Sequence, residues 1–115
     1  MISKELVAAS SRPLVLSILS ESENYGYAIL QRVRTLSEER IQWTDGMLYP
    51  VLHRLAAEGL VEATWKMADN GRERKYYRLT TAGHEALGNE RRQWLTVHQT
   101  LDKLWTLQAT PLPSI

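Results

Sequence analysis

The amino-acid sequence predicts a mainly α-helical protein with one small β-hairpin and a long last helix. Three features indicate this fold class. Apolar residues recur at helical spacing through much of the chain before Gly59, two β-rich segments flank Asn70 and Gly71, and a partial heptad repeat follows Thr81. Helical periodicity, a hairpin-forming dipeptide and a heptad repeat are separate signals, and together they predict the order of the elements.

The composition is that of a single globular domain with an ordinary core. The chain has 115 residues, 43% of them hydrophobic, and its 14 lysines and arginines nearly balance 13 aspartates and glutamates. It contains no cysteine, which excludes disulfides and thiolate sites and suits a reducing cytoplasm. No apolar run is long enough to cross a membrane, so we expect no membrane partner.

No residue pattern typical of an enzyme or a metal site is present. His53, His84 and His98 are dispersed, without the close spacing that metal ligands require. No nucleophile motif or phosphate-binding loop accompanies them. The sequence therefore predicts a protein that is not an enzyme and that has no catalytic residues, metal or cofactor.

Two helices are expected in the first third of the chain. Pro13 suits the first turn of a helix, where its missing N–H is not needed, and the LVLSIL segment after it is apolar nearly all round and should be buried. Asn24 can cap a second helix, whose apolar residues recur at helical spacing. Residues 41–43 alternate between apolar and polar side chains, as those of a very short strand would.

The third helix is expected between Thr44, which can cap it, and Gly59, which can end it in the left-handed conformation. Leu60 can then fold back on Leu55. One face of this helix is apolar, with Leu48, Val51, Leu52 and Leu55. The opposite face carries Gly46, Tyr49, Pro50, His53 and Ala57.

The hairpin is expected from two β-rich segments, LVEATWK and RKYYRL, on either side of Asn70 and Gly71. A two-residue turn there would place Trp65 opposite Tyr76.

The region from Lys66 to Arg78 contains five basic and two acidic residues, in a chain of net charge +1. A basic run is often only a solvated surface, but cations at a hairpin tip can also reach phosphates. The cations nearest the tip are Arg72, Arg74 and Lys75.

The last helix is expected to start after a cap at Thr80 or Thr81 and to run to about Gln108, a length of ~40 Å. Apolar residues along it form a partial heptad seam, which a lone domain would leave exposed. An exposed seam of this kind usually marks an interface, so the sequence predicts a homodimer. The seam consists of Leu87, Trp94, Val97, Leu101, Leu104 and Trp105.

Three helices followed at once by a hairpin is the order of a winged helix-turn-helix. In that architecture the third helix enters the major groove of DNA and the hairpin lies along the backbone. Residues 1–80 would then form the DNA-binding domain, 81–108 the dimerisation helix and 109–115 a disordered tail. Tyr49 and His53 are best placed for the groove, although Tyr49 can instead pack under the hairpin. The predicted DNA contacts are Thr44, Gly46, Tyr49, His53, Arg54, Arg72, Arg74 and Lys75.

Three segments resemble the PadR-like transcriptional regulators: YGYAIL from Tyr25, GMLYPVLHRLAAEGLV from Gly46, and RKYYRLTTAGHEAL from Arg74. The resemblance implies a homodimeric repressor that binds pseudo-palindromic double-stranded operator DNA and is released by a small ligand or another signal. The short chain is similar to the small branch of the family, which has one C-terminal helix. It departs from the family pattern at Asp45, an acid near the expected phosphates, and at His53, where a cation is common.

Two questions stay open from the sequence. Trp94 is either a packing residue of the seam, or one of two symmetry-related rings that hold a small planar hydrophobic effector, as in some small members that this chain resembles. In the second case Val97 and Leu101 would complete the ligand wall. The whole protein is either a regulator that binds specific DNA, or a winged-helix module that contacts other proteins and whose hairpin cations are only solvated.

Overall fold

The computed structural model describes residues 2–109 of the chain. Its elements are α1 (Lys4–Glu21), β1 (Asn24–Tyr25), α2 (Gly26–Leu36), α3 (Asp45–Ala57), β2 (Val61–Met67), β3 (Glu73–Leu79) and α4 (Thr81–Ala109). This is the predicted mainly helical fold with a hairpin and a long last helix. We call the β2–β3 hairpin the wing. Of the predicted disordered tail, residues 110–115 lie outside the described part of the chain.

One apolar core joins all the helices to the sheet. The predicted apolar face of α3 supplies Leu48, Leu52 and Leu55, which are fully buried. The sheet adds Val61 and Tyr77, and the remaining buried residues come mainly from α1 and α2. Burying a leucine-sized side chain contributes about 1.5–3 kcal/mol, so this core holds α3 in a fixed orientation against α1 and the sheet.

The first helix begins nine residues earlier than Pro13, so the expected start is wrong. The Ser3 hydroxyl caps the helix by accepting a hydrogen bond from the Leu6 N–H at 3.2 Å. Pro13 lies inside the helix and removes one backbone bond, to the Ala9 carbonyl. The helix continues through it because the residues that follow, from Val15 to Leu19, are anchored in the core.

The third strand of the sheet comes from an unexpected place. Asn24 and Tyr25 pair antiparallel with Tyr77 and Tyr76, which gives the strand order β1-β3-β2. Asn24 therefore does not cap α2, which follows Tyr25 without a side-chain cap. The short strand expected at 41–43 does not form. These residues pair with no strand in the described part of the chain, and the Trp43 side chain is buried in the core instead.

The wing turn is one residue longer than predicted, which shifts the register. The Ala68 N–H donates to the Arg72 carbonyl at 2.7 Å, so three residues form the loop. Gly71 is the last of them and has a φ of +79°, as a type I turn followed by a left-handed residue requires. Trp65 consequently pairs with Lys75 and not with Tyr76. A shift of one residue puts side chains on opposite faces, and Tyr76 contacts Tyr25 instead.

A compact junction links the end of α3 to the start of α4. Gly59, at φ +76°, ends α3, and the Leu60 N–H bonds to the Leu55 carbonyl at 2.9 Å, as predicted. Thr80 caps α4: its hydroxyl accepts from the Gly83 N–H at 3.0 Å and donates to the Gly59 carbonyl at 2.7 Å. We call this arrangement the α3–α4 junction.

Arg12 of α1 reinforces the α3–α4 junction. Its guanidinium contacts Glu58, which follows α3, at 2.7 Å, and Glu90 of α4 at 2.9 Å. The hydrogen bond to Glu58 is the main cause that raises the pKa of Arg12 above its ordinary value, against partial desolvation. One side chain therefore links three helices at the junction.

The second half of α4 extends away from the rest of the chain. The radius of gyration is 17.6 Å, compared with about 13 Å for a compact chain of this length. The long axis of the molecule measures 70 Å. From Leu95 onwards the described residues of α4 are exposed. No helix in the described part of the chain is long and apolar enough to span a membrane.

Candidate nucleic-acid interface

The outer face of α3 is exposed, because its leucines face the core. Tyr49 and His53 lie one turn apart on this face, with their ring centroids 6.3 Å apart. Arg54 is the next residue along the helix and is also exposed. Thr44 caps the helix only through its carbonyl, which accepts from the Met47 and Leu48 N–H groups, so its hydroxyl is not used in the cap.

The sequence left open whether Tyr49 faces the DNA groove or packs under the hairpin. The structure combines the two, because the side chain is partly packed and partly exposed. Its hydroxyl end lies against Gly26, where a β-carbon would come within 2.5 Å of the phenolic oxygen. The same phenol contributes, after burial, to raising the pKa of Tyr77. Yet Tyr49 is 36% exposed. The ring thus packs beside the sheet with one edge and presents the rest to solvent.

The wing and α3 enclose an open cleft of about 240 Å³. It brings Tyr49 of α3 close to two of the predicted wing cations, Arg74 and Lys75. The sequence did not predict the contribution of β1, whose Tyr25 also lines the cleft. The full lining is Tyr25, Gly26, Tyr27, Tyr49, Trp65, Glu73, Arg74 and Lys75.

Aromatic rings hold two of the wing cations in place. The Arg74 guanidinium lies 4.4 Å from the centroid of the Tyr25 ring, and the Lys75 ammonium lies 5.8 Å from that of Tyr77. Such cation–π contacts contribute about 0.5–1 kcal/mol at exposed sites. Arg72 follows the wing loop and is exposed. Arg74 and Lys75 are neighbours on β3 and project from opposite faces of the wing, so the three predicted cations do not form a single cluster.

Some cations of the wing region are paired with acidic side chains and others are not. Lys66 and Arg78, the other two basic residues of the wing region, are neutralised by Glu23 and Glu62. In the described part of the chain, no carboxylate oxygen lies within 4.0 Å of a side-chain nitrogen of Arg54, Arg72, Arg74 or Lys75. Unpaired cations thus remain beside the exposed face of α3 and along the wing, where a polyanion can approach.

The seam of α4 divides into a buried and an exposed part. Leu87 is 7% exposed within one chain and belongs to the core, so the expectation that a lone chain leaves it exposed is wrong. Trp94 is half-buried and lines a shallow depression of about 200 Å³ with Gln93 and Val97. The remaining seam residues are exposed: Val97, Leu101, Leu104 and Trp105.

No metal site is found among residues 2–109, where no three potential ligands come together. The residues predicted to bind DNA and those of the heptad seam lie on two separate surfaces. The first is formed by α3 and the wing. The second is the exposed seam of α4.

Comparisons with known proteins cover both the winged domain and α4. Residues 15–89 match the model of the Transcriptional regulator PadR-like family. The chain is 37% identical over 89 residues to the transcriptional regulator Rv3488 of Mycobacterium tuberculosis, a match that covers 77% of this chain and 79% of that protein.

Two solved structures agree with the chain in fold over most of its length. The PadR-like transcriptional regulator BC4206 of Bacillus cereus matches with a TM-score of 0.80 and 29% identity, over 89% of this chain and 97% of that one. The PadR family regulator of Eggerthella lenta matches with a TM-score of 0.68 and 35% identity, over 88% of this chain and 82% of that one.

Proposed function

Because this chain belongs to the PadR-like family of transcriptional regulators, we propose that it is a homodimeric repressor whose α3 and wing bind a specific operator. Family membership makes it a DNA-binding transcription regulator and not an enzyme. Repression, dimerisation and the response to an effector are our additions. Dimerisation and the effector rest on the exposed seam of α4, and repression rests on the resemblance to the family.

The observation that carries the proposal is the set of unpaired cations around α3. Arg74 and Lys75 line the cleft with Tyr49, the exposed Arg54 follows His53 on α3, and the exposed Arg72 ends the wing loop. Phosphate contacts give affinity and position the protein, whereas contacts to base edges give specificity. We assign the four cations to phosphates and assign Tyr49 and His53, with Thr44 and Gly46 at the start of α3, to the groove.

The test is the salt dependence of binding to DNA from upstream of the protein's own gene, followed by fluorescence anisotropy. We expect Arg72→Ala, Arg74→Ala and Lys75→Ala each to reduce the slope of log affinity against log salt by about one unit. Arg78→Ala is the matched control, because its charge is already paired with Glu62. Wing variants that leave the slope unchanged would place these cations outside the interface.

A winged-helix module that contacts proteins is the competing function. It predicts no difference in affinity between operator and random DNA. Our proposal predicts that Tyr49→Ala and His53→Ala reduce that difference, since they remove groove contacts and leave the phosphate contacts in place. It also predicts that half-sites recur ~34 Å apart, or at a multiple, on one face of the duplex.

For the effector, we propose a small planar hydrophobic molecule held between the two Trp94 rings of the dimer. The shallow depression at Gln93, Trp94 and Val97 supports this, because a twofold axis beside it would oppose two such surfaces. Leu101 would extend the apolar wall. An offset stack on an aromatic ring adds about 0.5–1.5 kcal/mol beyond area burial. The ligand releases DNA only if it prefers a dimer whose α3 helices are misplaced for the operator.

Tryptophan fluorescence with a panel of flat dyes and phenolic compounds tests the effector site. We expect quenching in the native chain, a loss of quenching in Trp94→Ala, and release of DNA by the same compounds. Trp105→Phe serves as the control, because it removes another indole of α4. Quenching that persists unchanged in Trp94→Ala would make Trp94 a packing residue only.

A further inference from the structure

A cavity of about 680 Å³ lies at the end of α3 that is remote from the α3–α4 junction. It is enclosed by the N-terminal end of α1, the segment that links α2 to α3, and the first turn of α3. Its apolar side chains are Ile2, Val7, Ile41 and Met47. None of these four residues is a predicted DNA contact or a member of the α4 seam, so the cavity is separate from both surfaces described above.

The fold holds the walls of this cavity in place. Val7 and Ile41 also pack against the core. The Ser37 hydroxyl accepts a hydrogen bond from the Ile41 N–H at 2.9 Å, and the Gln42 amide donates to the Glu39 carbonyl at 3.0 Å. Ligand pockets are usually preformed in this way, with mostly apolar walls and volumes of about 300–1,000 Å³. The cavity therefore has the size and the construction of a small-molecule site.

The charges around the cavity favour an anionic ligand group. Lys4 and Arg40 both line it. Among residues 2–109, no carboxylate oxygen lies within 4.0 Å of the Lys4 ammonium, and Arg40 reaches only Glu38, at 3.7 Å. Glu39 also lines the cavity, but its carboxylate is paired with Arg34 at 2.5 Å. Three cations and two carboxylates leave one positive charge in excess, which attracts an anion.

We propose that this cavity binds a medium-chain alkyl carboxylate, with its chain along the four apolar side chains and its carboxylate at Lys4 and Arg40. These apolar side chains are all aliphatic and offer no ring for stacking, which favours an alkyl chain over a planar aromatic body. The site differs in this respect from the effector site proposed at Trp94. The inference goes beyond the proposed function, because binding here does not require DNA.

Calorimetric titration of the full chain with hexanoate, octanoate and decanoate tests the apolar contacts. We expect the affinity to rise about three- to fourfold for each added methylene, the factor that corresponds to about 0.8 kcal/mol per buried CH₂. Met47→Gln should weaken decanoate binding about five- to tenfold, whereas Met47→Leu, which keeps an apolar side chain, should stay within about twofold of the parent. Met67→Gln, at an exposed methionine of the wing, is the matched control and should change nothing.

Decanol, which has the same chain without the charge, tests the role of the cations. We expect decanol to bind more weakly than decanoate. Lys4→Gln and Arg40→Gln should each weaken decanoate binding about two- to fivefold, as expected for exposed ion pairs, and leave decanol binding unchanged. Lys103→Gln, at an exposed lysine of α4, is the control for the loss of one positive charge.

Several results would overturn this inference. Absence of decanoate binding would do so directly. Equal binding of decanoate and decanol, insensitive to Lys4→Gln and Arg40→Gln, would mean that alkyl chains only adsorb to apolar surface. Loss of decanoate binding in Trp94→Ala would place the ligand at the effector site. Affinity that falls as the protein concentration rises would mean that a second copy of the chain covers the cavity.

These outcomes are distinct from the fate of the proposed function. The titrations contain no DNA, so each of them can fail while the parent still binds its operator. Conversely, failure of the parent to bind DNA would contradict the proposed function and leave decanoate binding as measured.

Discussion

Burial couples the ionisation of Tyr77 to folding. Tyr77 is 2% exposed, and burial, with a smaller contribution from Tyr49, raises its pKa above the ordinary value of 10.0. The folded chain therefore holds the phenolic proton more tightly than the unfolded chain does. The associated stabilisation is complete below about pH 10 and is lost as the pH rises through the folded pKa.

We expect the free energy of unfolding to fall above about pH 10 and to fall less in Tyr77→Phe, which has no proton to lose. Urea unfolding followed by circular dichroism between neutral and strongly alkaline pH measures this. Tyr76→Phe, one residue away on the half-buried face, is the control. If Tyr77→Phe lost stability as steeply as the parent, another group would govern alkaline unfolding.

Alanine substitutions at two glycines of α4 should change the stability of the protein in opposite directions. A β-carbon on Gly83 would collide with the Leu60 carbonyl oxygen at the α3–α4 junction, and backbone cannot move aside easily. A β-carbon on Gly88 would meet only the end of the Arg92 side chain at 3.6 Å, an ordinary contact.

We therefore expect Gly88→Ala to stabilise the protein by about 0.5–1 kcal/mol through helix propensity. Gly83→Ala should destabilise it by about 1–3 kcal/mol, the cost of an overpacked site. Chemical denaturation of both variants measures the difference. Equal effects would show that the start of α4 is not held against Leu60.

The elements that could be predicted from sequence are those with a local signal. The apolar face, cap and terminal glycine of α3 are all contiguous in the chain, and so are the two wing segments and the start of α4 at Thr80. β1 could not be predicted, because Asn24 and Tyr25 become a strand only by pairing with residues more than fifty positions away. The wing register depended on one residue of loop length, which the Asn70-Gly71 pair does not specify.

The candidate interface shows the same division between local and distant signals. The exposed face of α3 follows from its periodicity, so the exposure of Tyr49 and His53 could be expected. Which cations stay unpaired could not, because the partners of Lys66 and Arg78 are set by tertiary contacts. The role of Tyr25 as a platform for Arg74 likewise depends on the β1–β3 pairing.

We expect the exposed seam of α4 to determine the oligomeric state of the whole molecule. Val97, Leu101 and Leu104 stay exposed in one chain, and surfaces of this kind usually mark interfaces. We expect a dimer, with about twice the chain mass of 13.2 kDa, in sedimentation at micromolar concentration. Leu101→Glu should shift it toward the monomer, because it places a charge in the seam. Gln99→Glu, on the opposite side of the same helix, should not.

A stable dimer of Leu101→Glu would place the interface elsewhere. A folded monomer of the parent would remove the basis for the effector site between two Trp94 rings. Operator binding would then have to come from single chains. The salt dependence of the wing variants would still be interpretable, since it depends on one chain only.

We expect the α3–α4 junction to make α3 and α4 move together as one rigid unit. Thr80 alone separates β3 from α4, and Arg12 ties the end of α3 to α4, so little slack exists between them. The first turn of α4 lies about 20 Å from Trp94, at 1.5 Å per residue. If α4 tilts by about 6° around Trp94, that turn therefore moves by about 2 Å. In a dimer pivoting at Trp94, α3 would move with it. A displacement of that size is enough to break hydrogen bonds to bases, which tolerate only a few tenths of an ångström, so a small ligand could release DNA without unfolding any element.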